Sequence, residues 1–178
     1  MEGSYLLFKR QRILTMERTP SSTEQWIDRA ALLHSVTRHY GPHAKTSIHG
    51  VQHWQHVEHH GLKIAEDSGA DIAVVTLFAW FHDSCRVNEH IDDGHGKRAA
   101  EFAATQRGKL YDLPDHAYAL LMEACNDHTC GKTNTEITIG TCWDADRLDL
   151  PRVGTLPREA FMSTEKGRRL AYQMRVTG

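Results

Sequence analysis

Ala79-Trp80-Phe81-His82-Asp83 closes an almost wholly apolar run, Ile72 to Phe81, on an adjacent imidazole and carboxylate. A run of this length is too short to span a bilayer and reads as a helix buried in a protein core. Its end places a neutral nitrogen ligand, His82, beside an anionic oxygen ligand, Asp83, in dry surroundings. An unpaired buried carboxylate is costly, and a divalent cation would compensate it. An ordinary hydrogen-bonded His-Asp pair near a helix end is the alternative for such a dipeptide standing alone.

The dipeptide does not stand alone. His53 lies upstream in His49-Gly50-Val51-Gln52-His53-Trp54, and Asp146 lies downstream in Trp143-Asp144-Ala145-Asp146-Arg147-Leu148-Asp149. At these residues the chain resembles the HD-domain superfamily of metal-dependent phosphohydrolases, whose signature is His…His-Asp…Asp, over roughly residues 47–153. The resemblance implies an all-α fold, a single HD-domain helical bundle, with His53, His82, Asp83 and Asp146 as metal ligands. Asp144 competes with Asp146, since adjacent-turn geometry cannot place both on one helix face. His95 and His128 resemble the additional ligands of two-metal HD proteins, in which Asp83 would bridge the ions; in one-metal relatives such histidines contact substrate phosphate. As core histidines they would instead be satisfied by backbone carbonyls.

The implied activity is hydrolysis of a phosphomonoester or phosphodiester, on a nucleotide or another small phosphorylated molecule, with Asp83 and Arg86 as catalytic residues. The imidazole-rich donor set favours Mn²⁺, Fe²⁺, Co²⁺, Ni²⁺ or Zn²⁺, as one ion or two, over Mg²⁺. Arg86 stands where some HD phosphodiesterases carry Lys, and its planar guanidinium suits a phosphate. It also displaces the Glu of other HD hydrolases, so their acid/base scheme is not carried over. Lys97, Arg98 and Arg147 are further phosphate-binding candidates, with Arg147 alternatively pairing Asp144 or Asp149. His49 supports or joins the ligand set, and His56 occupies a place where Arg is common. His56, His59 and His60 read as a solvated helix face, and Cys85 as a packing thiol. Two other functions remain open at this point: an HD-fold di-iron oxygenase, and a non-catalytic metal or nucleotide sensor.

A chain of 178 residues suggests one domain. The net charge of −2 supplies no overall basic field, which argues against sequence-specific nucleic-acid binding and against an acidic membrane surface. Thirteen histidines make metal chemistry worth testing. The cysteines Cys85, Cys125, Cys130 and Cys142 form no CxxC pair, which favours reduced thiols and a cytoplasmic location. Tyr5-Leu6-Leu7-Phe8 precedes Lys9, Arg10 and Arg12, the reverse of a signal peptide, and Met16 could equally be the start.

The pattern divides into residues 1–22 as a flexible N-terminal extension, 23–155 as the HD domain and 156–178 as peripheral helices. Pro20-Ser21-Ser22-Thr23 reads as a linker and cap for a helix through Trp26, Ile27, Ala30, Leu32, Leu33 and Val36. A second helix starts around residues 47–50 and stops near Ser68-Gly69, and the buried helix covers residues 71–82. Others begin near His95 and at Leu113-Pro114-Asp115, the latter carrying Ala117, Leu121, Ala124 and His128 on one face. The last core helix is expected over residues 143–150, with peripheral helices over 159–174. No β-alternation or internal repeat is visible. A homodimer is an allowed assembly.

Overall fold

The apolar run forms the helix on which the bundle is assembled. In the computed structural model, which describes residues 25–177, α3 (Ile72–Phe81) is buried from Ala73 to Phe81. It starts sharply because the Asp71 carboxylate accepts from the Ala73 and Val74 amides, satisfying donors that have no partner within the helix. Around it pack α1 (Arg29–Tyr40), α2 (Val51–Ser68), α4 (His95–Gln106), α5 (Asp115–Asp127) and α6 (Ile137–Leu148). Full burial of each large side chain in α3 contributes roughly 1.5–3 kcal/mol. Among the described residues the architecture is all-α, with one two-stranded ribbon.

Helix α2 presents His53, Trp54, Val57, Gly61, Ile64 and Ala65 inward. Gly61 is required by the close approach of three helices: a Cβ there would stand 2.5 Å from Val75 Cγ1 and 3.4 Å from Ala145 Cβ. This contact draws α2 onto α3 and α6, the helices that carry the signature residues. A separate small cluster of Ile64, Leu148, Met162 and Ala171 seats the last helix, α7 (Glu165–Thr177), against the bundle.

Three boundaries differ from the sequence expectation. Trp26–Ile27 is not helical but forms strand β1, antiparallel to β2 (Tyr111–Asp112), with Trp26 opposite Asp112 and Ile27 opposite Tyr111. The helix begins at Arg29, behind Asp28, whose side chain accepts from the Ala31 amide at 3.1 Å. The last core helix begins at Ile137 rather than Trp143, capped by the Glu136 carboxylate on the Ile139 amide. It ends at Leu148, and 150–153 form a short 3₁₀ turn around Pro151. The expected extension and cap at residues 1–23 lie outside the described residues. No helix among the described residues is long and apolar enough to cross a membrane.

Candidate metal centre

Five helices aim side chains at one buried point. His53 comes from the inner face of α2, His82 and Asp83 from the end of α3, and Asp146 from the last turn of α6. His95 opens α4 and His128 follows the last turn of α5. His53 Nε2 lies 3.0 Å from His82 Nε2, 3.3 Å from Asp146 Oδ1 and 3.6 Å from Asp83 Oδ2. His82 Nε2 lies 3.7 Å from Asp146 Oδ1 and 3.8 Å from Asp83 Oδ2. The second carboxylate oxygen of Asp83 faces the other pair: Oδ1 is 3.0 Å from His95 Nε2 and 3.6 Å from His128 Nε2, which are 2.8 Å apart.

The outer nitrogens of these rings fix what the inner ones can do. His82 Nδ1 donates to the Phe78 and Ala79 carbonyls, His128 Nδ1 to the Cys125 carbonyl and His95 Nδ1 to the Asp92 carbonyl. His53 Nδ1 donates to Asp149 Oδ2 at 2.7 Å. Carbonyls and carboxylates only accept, so each neutral ring carries its proton on Nδ1 and a lone pair on Nε2. The Nε2 atoms then meet lone pair to lone pair, in two pairs, beside carboxylate oxygens. Such an arrangement repels itself unless something positive, a proton or a cation, sits between.

The spacing suits a cation. Donors about 2.1 Å from one ion stand about 3.0 Å apart at right angles and about 3.4 Å apart at the tetrahedral angle. The separations above span 2.8–3.8 Å. His53, His82 and Asp83 place one ligand atom each within 4.8 Å of one another, as do Asp83, His95 and His128. Protonation states agree with ligation. Burial pushes His82 down to about 3, keeping it neutral. Burial pushes the Asp83 and Asp146 carboxyls upward, but the surrounding imidazoles outweigh it and hold both below the ordinary range. His53 and His128 go the other way: burial disfavours their charged forms, yet the adjoining carboxylates raise both above the ordinary value. The cluster draws in positive charge, and neutral imidazoles with ionised carboxylates are what a metal needs.

The other sequence candidates are placed as follows. Asp144, although fully buried, turns away from the centre and accepts from the Ser163 amide, the Thr164 amide and the Thr164 hydroxyl, each at 2.7 Å. Arg86 sits at the edge of the centre, Nη1 3.6 Å from Asp83 Oδ1, while Nε donates to the Asn88 carbonyl and Nη2 to the His90 carbonyl. A cleft of about 580 Å³ opens beside it, lined by Tyr40, Ser47, Ile48, Asn88 and Glu89 among others. His49 precedes α2, and its Nδ1 donates to Asp83 Oδ2 at 2.8 Å.

Lys97, Arg98 and Arg147 are not brought to the centre. Lys97 is exposed beside Glu101, Arg98 forks onto Asp92 and reaches the Cys85 carbonyl, and Arg147 donates to the Phe161 and Gly131 carbonyls. Cys85 packs against His39, Sγ to Nε2 3.3 Å, with burial pushing its thiol up. Two residues outside the expected set adjoin the centre. Asp149 holds His53, and Arg152 lies beyond it, donating to the Ile48 and Asp149 carbonyls. Asp149 sits one turn past Asp146, a spacing that was the available signal.

The chain is similar to a solved structure, that of a predicted HD superfamily hydrolase from an uncultured Thermotogales bacterium. The fold is that of the HD domain. The two chains are 23% identical with a TM-score of 0.64, over 83% of this chain and 86% of the other. No protein-family model and no curated protein matches. Within this fold, the buried His and Asp groups could hold a divalent metal.

Proposed function

We propose that the protein is a metal-dependent phosphohydrolase acting on a nucleotide or another small phosphorylated molecule. The observation that carries this reading is the pairing of Nε2 lone pairs on either side of Asp83, each set completed by one oxygen of that carboxylate. His53, His82, Asp83 and Asp146 would hold one ion, and Asp83, His95 and His128 a second. Imidazole donors favour Mn²⁺, Fe²⁺, Co²⁺, Ni²⁺ or Zn²⁺ over Mg²⁺. When bound, such an ion lowers the pKa of coordinated water and polarises a phosphoryl oxygen.

The chain's own residues supply the rest. Arg86 brings a permanent cation to the wall between the centre and the cleft, where an anionic substrate would be oriented. The cleft is within the range of small-molecule sites. Asp83 carries both histidine sets, and His49 holds its Oδ2 by a hydrogen bond. All four cysteines are unpaired, which suits the reducing cytoplasm we assign to the protein.

A second reading, a di-iron oxygenase, is favoured by the same bridging posture of Asp83. A phosphate-release screen over nucleotides and sugar phosphates, with protein loaded in turn with each metal, separates the two. Chelator-sensitive phosphate release supports the hydrolase. Oxygen consumption by the iron-loaded protein, with no phosphate released from any ester, overturns it, and metal binding without either activity leaves a sensor.

A further inference from the structure

Asp149 joins two imidazoles that face opposite ways. Its Oδ2 lies 2.7 Å from His53 Nδ1, and its Oδ1 lies 2.8 Å from His56 Nδ1. The Asp149 side chain is 9% exposed and that of His53 1%, whereas His56 is 47% exposed. His53 and His56 are three positions apart on α2, so both rings reach one carboxylate at the end of α6.

We infer that Asp149 is the positioning residue that makes His53 a ligand, and that it succeeds because a carboxylate accepts from both imidazoles at once. The inference rests on the metal centre proposed above. A neutral imidazole has one N–H, and the partner of one nitrogen decides the state of the other. With Asp149 Oδ2 accepting at Nδ1, the lone pair falls on Nε2, the atom 3.0 Å from His82 Nε2.

The opposite tautomer has a partner waiting. Asp146 Oδ1, 3.3 Å from His53 Nε2, would accept a proton placed there, and that proton would block ligation. Asp149 therefore holds His53 against a competing hydrogen bond to one of the ligands. An amide at position 149 accepts from only one of the two rings, since it offers one oxygen and one NH₂ group. With the oxygen taken by His56, the NH₂ would face His53 Nδ1, turn that nitrogen into an acceptor and move the ring proton to Nε2. The exposed histidine thus sets how much of position 149 is left for the buried one.

The test reads the tautomer and the affinity separately. In metal-free protein with ¹⁵N-labelled histidine, at a pH where the ring is neutral, His53 should show a protonated Nδ1 and a bare Nε2. Its signals are identified by their loss in His53→Gln. In Asp149→Asn they should move to the opposite tautomer, and zinc affinity, measured by competition with a chromophoric chelator, should fall roughly 10–100-fold. In the double variant His56→Ala/Asp149→Asn the single amide oxygen is free for His53, and most of the affinity should return. A wild-type His53 already protonated on Nε2 overturns the inference without any variant. So does an Asp149→Asn protein that binds zinc as wild type does, or an equal loss in the single and double variants. If wild-type protein binds no zinc, the metal centre itself fails, while the tautomer signals still decide the role of Asp149.

Discussion

Asp144→Ala separates the two aspartates that compete in the sequence to be the last ligand. The structure makes Asp144 a tether: its carboxylate accepts from the Ser163 and Thr164 amides and the Thr164 hydroxyl, fixing the turn that leads into α7. Truncation strands two backbone donors; at about 1–3 kcal/mol for each unsatisfied buried group, the loss is about 2–6 kcal/mol. The Thr164 hydroxyl can rotate to another acceptor and is left out of the sum. Part of the loss is returned, because burial holds the Asp144 carboxyl above its ordinary value despite those bonds, so its charge is costly to keep. The lower half, about 2–4 kcal/mol, is expected.

Urea unfolding reads it as a lower midpoint at unchanged slope. The raised pKa adds a sign: the proton-linked stability of wild type is complete below the ordinary value of 3.8 and is lost as pH rises through the raised folded value. The gap between wild type and variant should therefore be wider in acid than at neutral pH. Metal content should not change. A variant of wild-type stability that has lost its metal would refute the assignment and make Asp144 the ligand.

Three further outcomes follow from the site. His128→Ala should lower metal content from about two ions per chain to about one if His95 and His128 hold an ion; unchanged metal with weakened turnover would make them substrate contacts, and no change in either would leave them core histidines. Arg86→Ala should keep its metal while kcat/KM falls roughly tenfold to a hundredfold, the worth of a charge-assisted contact of about 1.5–3 kcal/mol, with Arg86→Lys recovering part. A fully active Arg86→Ala enzyme would reduce Arg86 to pinning the Asn88 and His90 carbonyls. Metal affinity should rise with pH, since His53 and His128, both raised above 6.5, must release protons to ligate, whereas His82, pushed down to about 3, is already neutral; a titration by chelator competition that is flat across neutral pH would contradict this.

What the sequence made legible was whatever depends on local pattern. The α3 run announces itself by composition, and His82-Asp83 at its end needs no partner to be noticed. The spacing of Trp54, Val57, Gly61, Ile64 and Ala65 marks α2 in the same way. Features decided by distant partners stayed hidden. Trp26 and Ile27 fit the helical spacing of Ala30 and Leu33, and only pairing with Tyr111–Asp112 makes them a strand. The start of α6 contains Thr138, Ile139, Gly140 and Thr141, poor helix formers that burial overrides. Lys97, Arg98 and Arg147 are suitable phosphate binders by residue type alone. In the structure their side chains contact Glu101, Asp92 and the Phe161 and Gly131 carbonyls, and no motif predicts such contacts. The His56–Asp149 contact crosses 93 positions, so a histidine that reads as part of a solvated face turns out to share a carboxylate with a candidate ligand.

The central claim is that an ion sits between the paired imidazoles. Crystals grown without chelator, with diffraction data collected above and below the absorption edge of each candidate metal, locate that ion directly. An anomalous peak about 2.0–2.2 Å from His53 Nε2, His82 Nε2 and oxygens of Asp83 and Asp146 is the predicted result. Anomalous density confined to exposed histidines such as His59, with the centre bridged by protons alone, would contradict it.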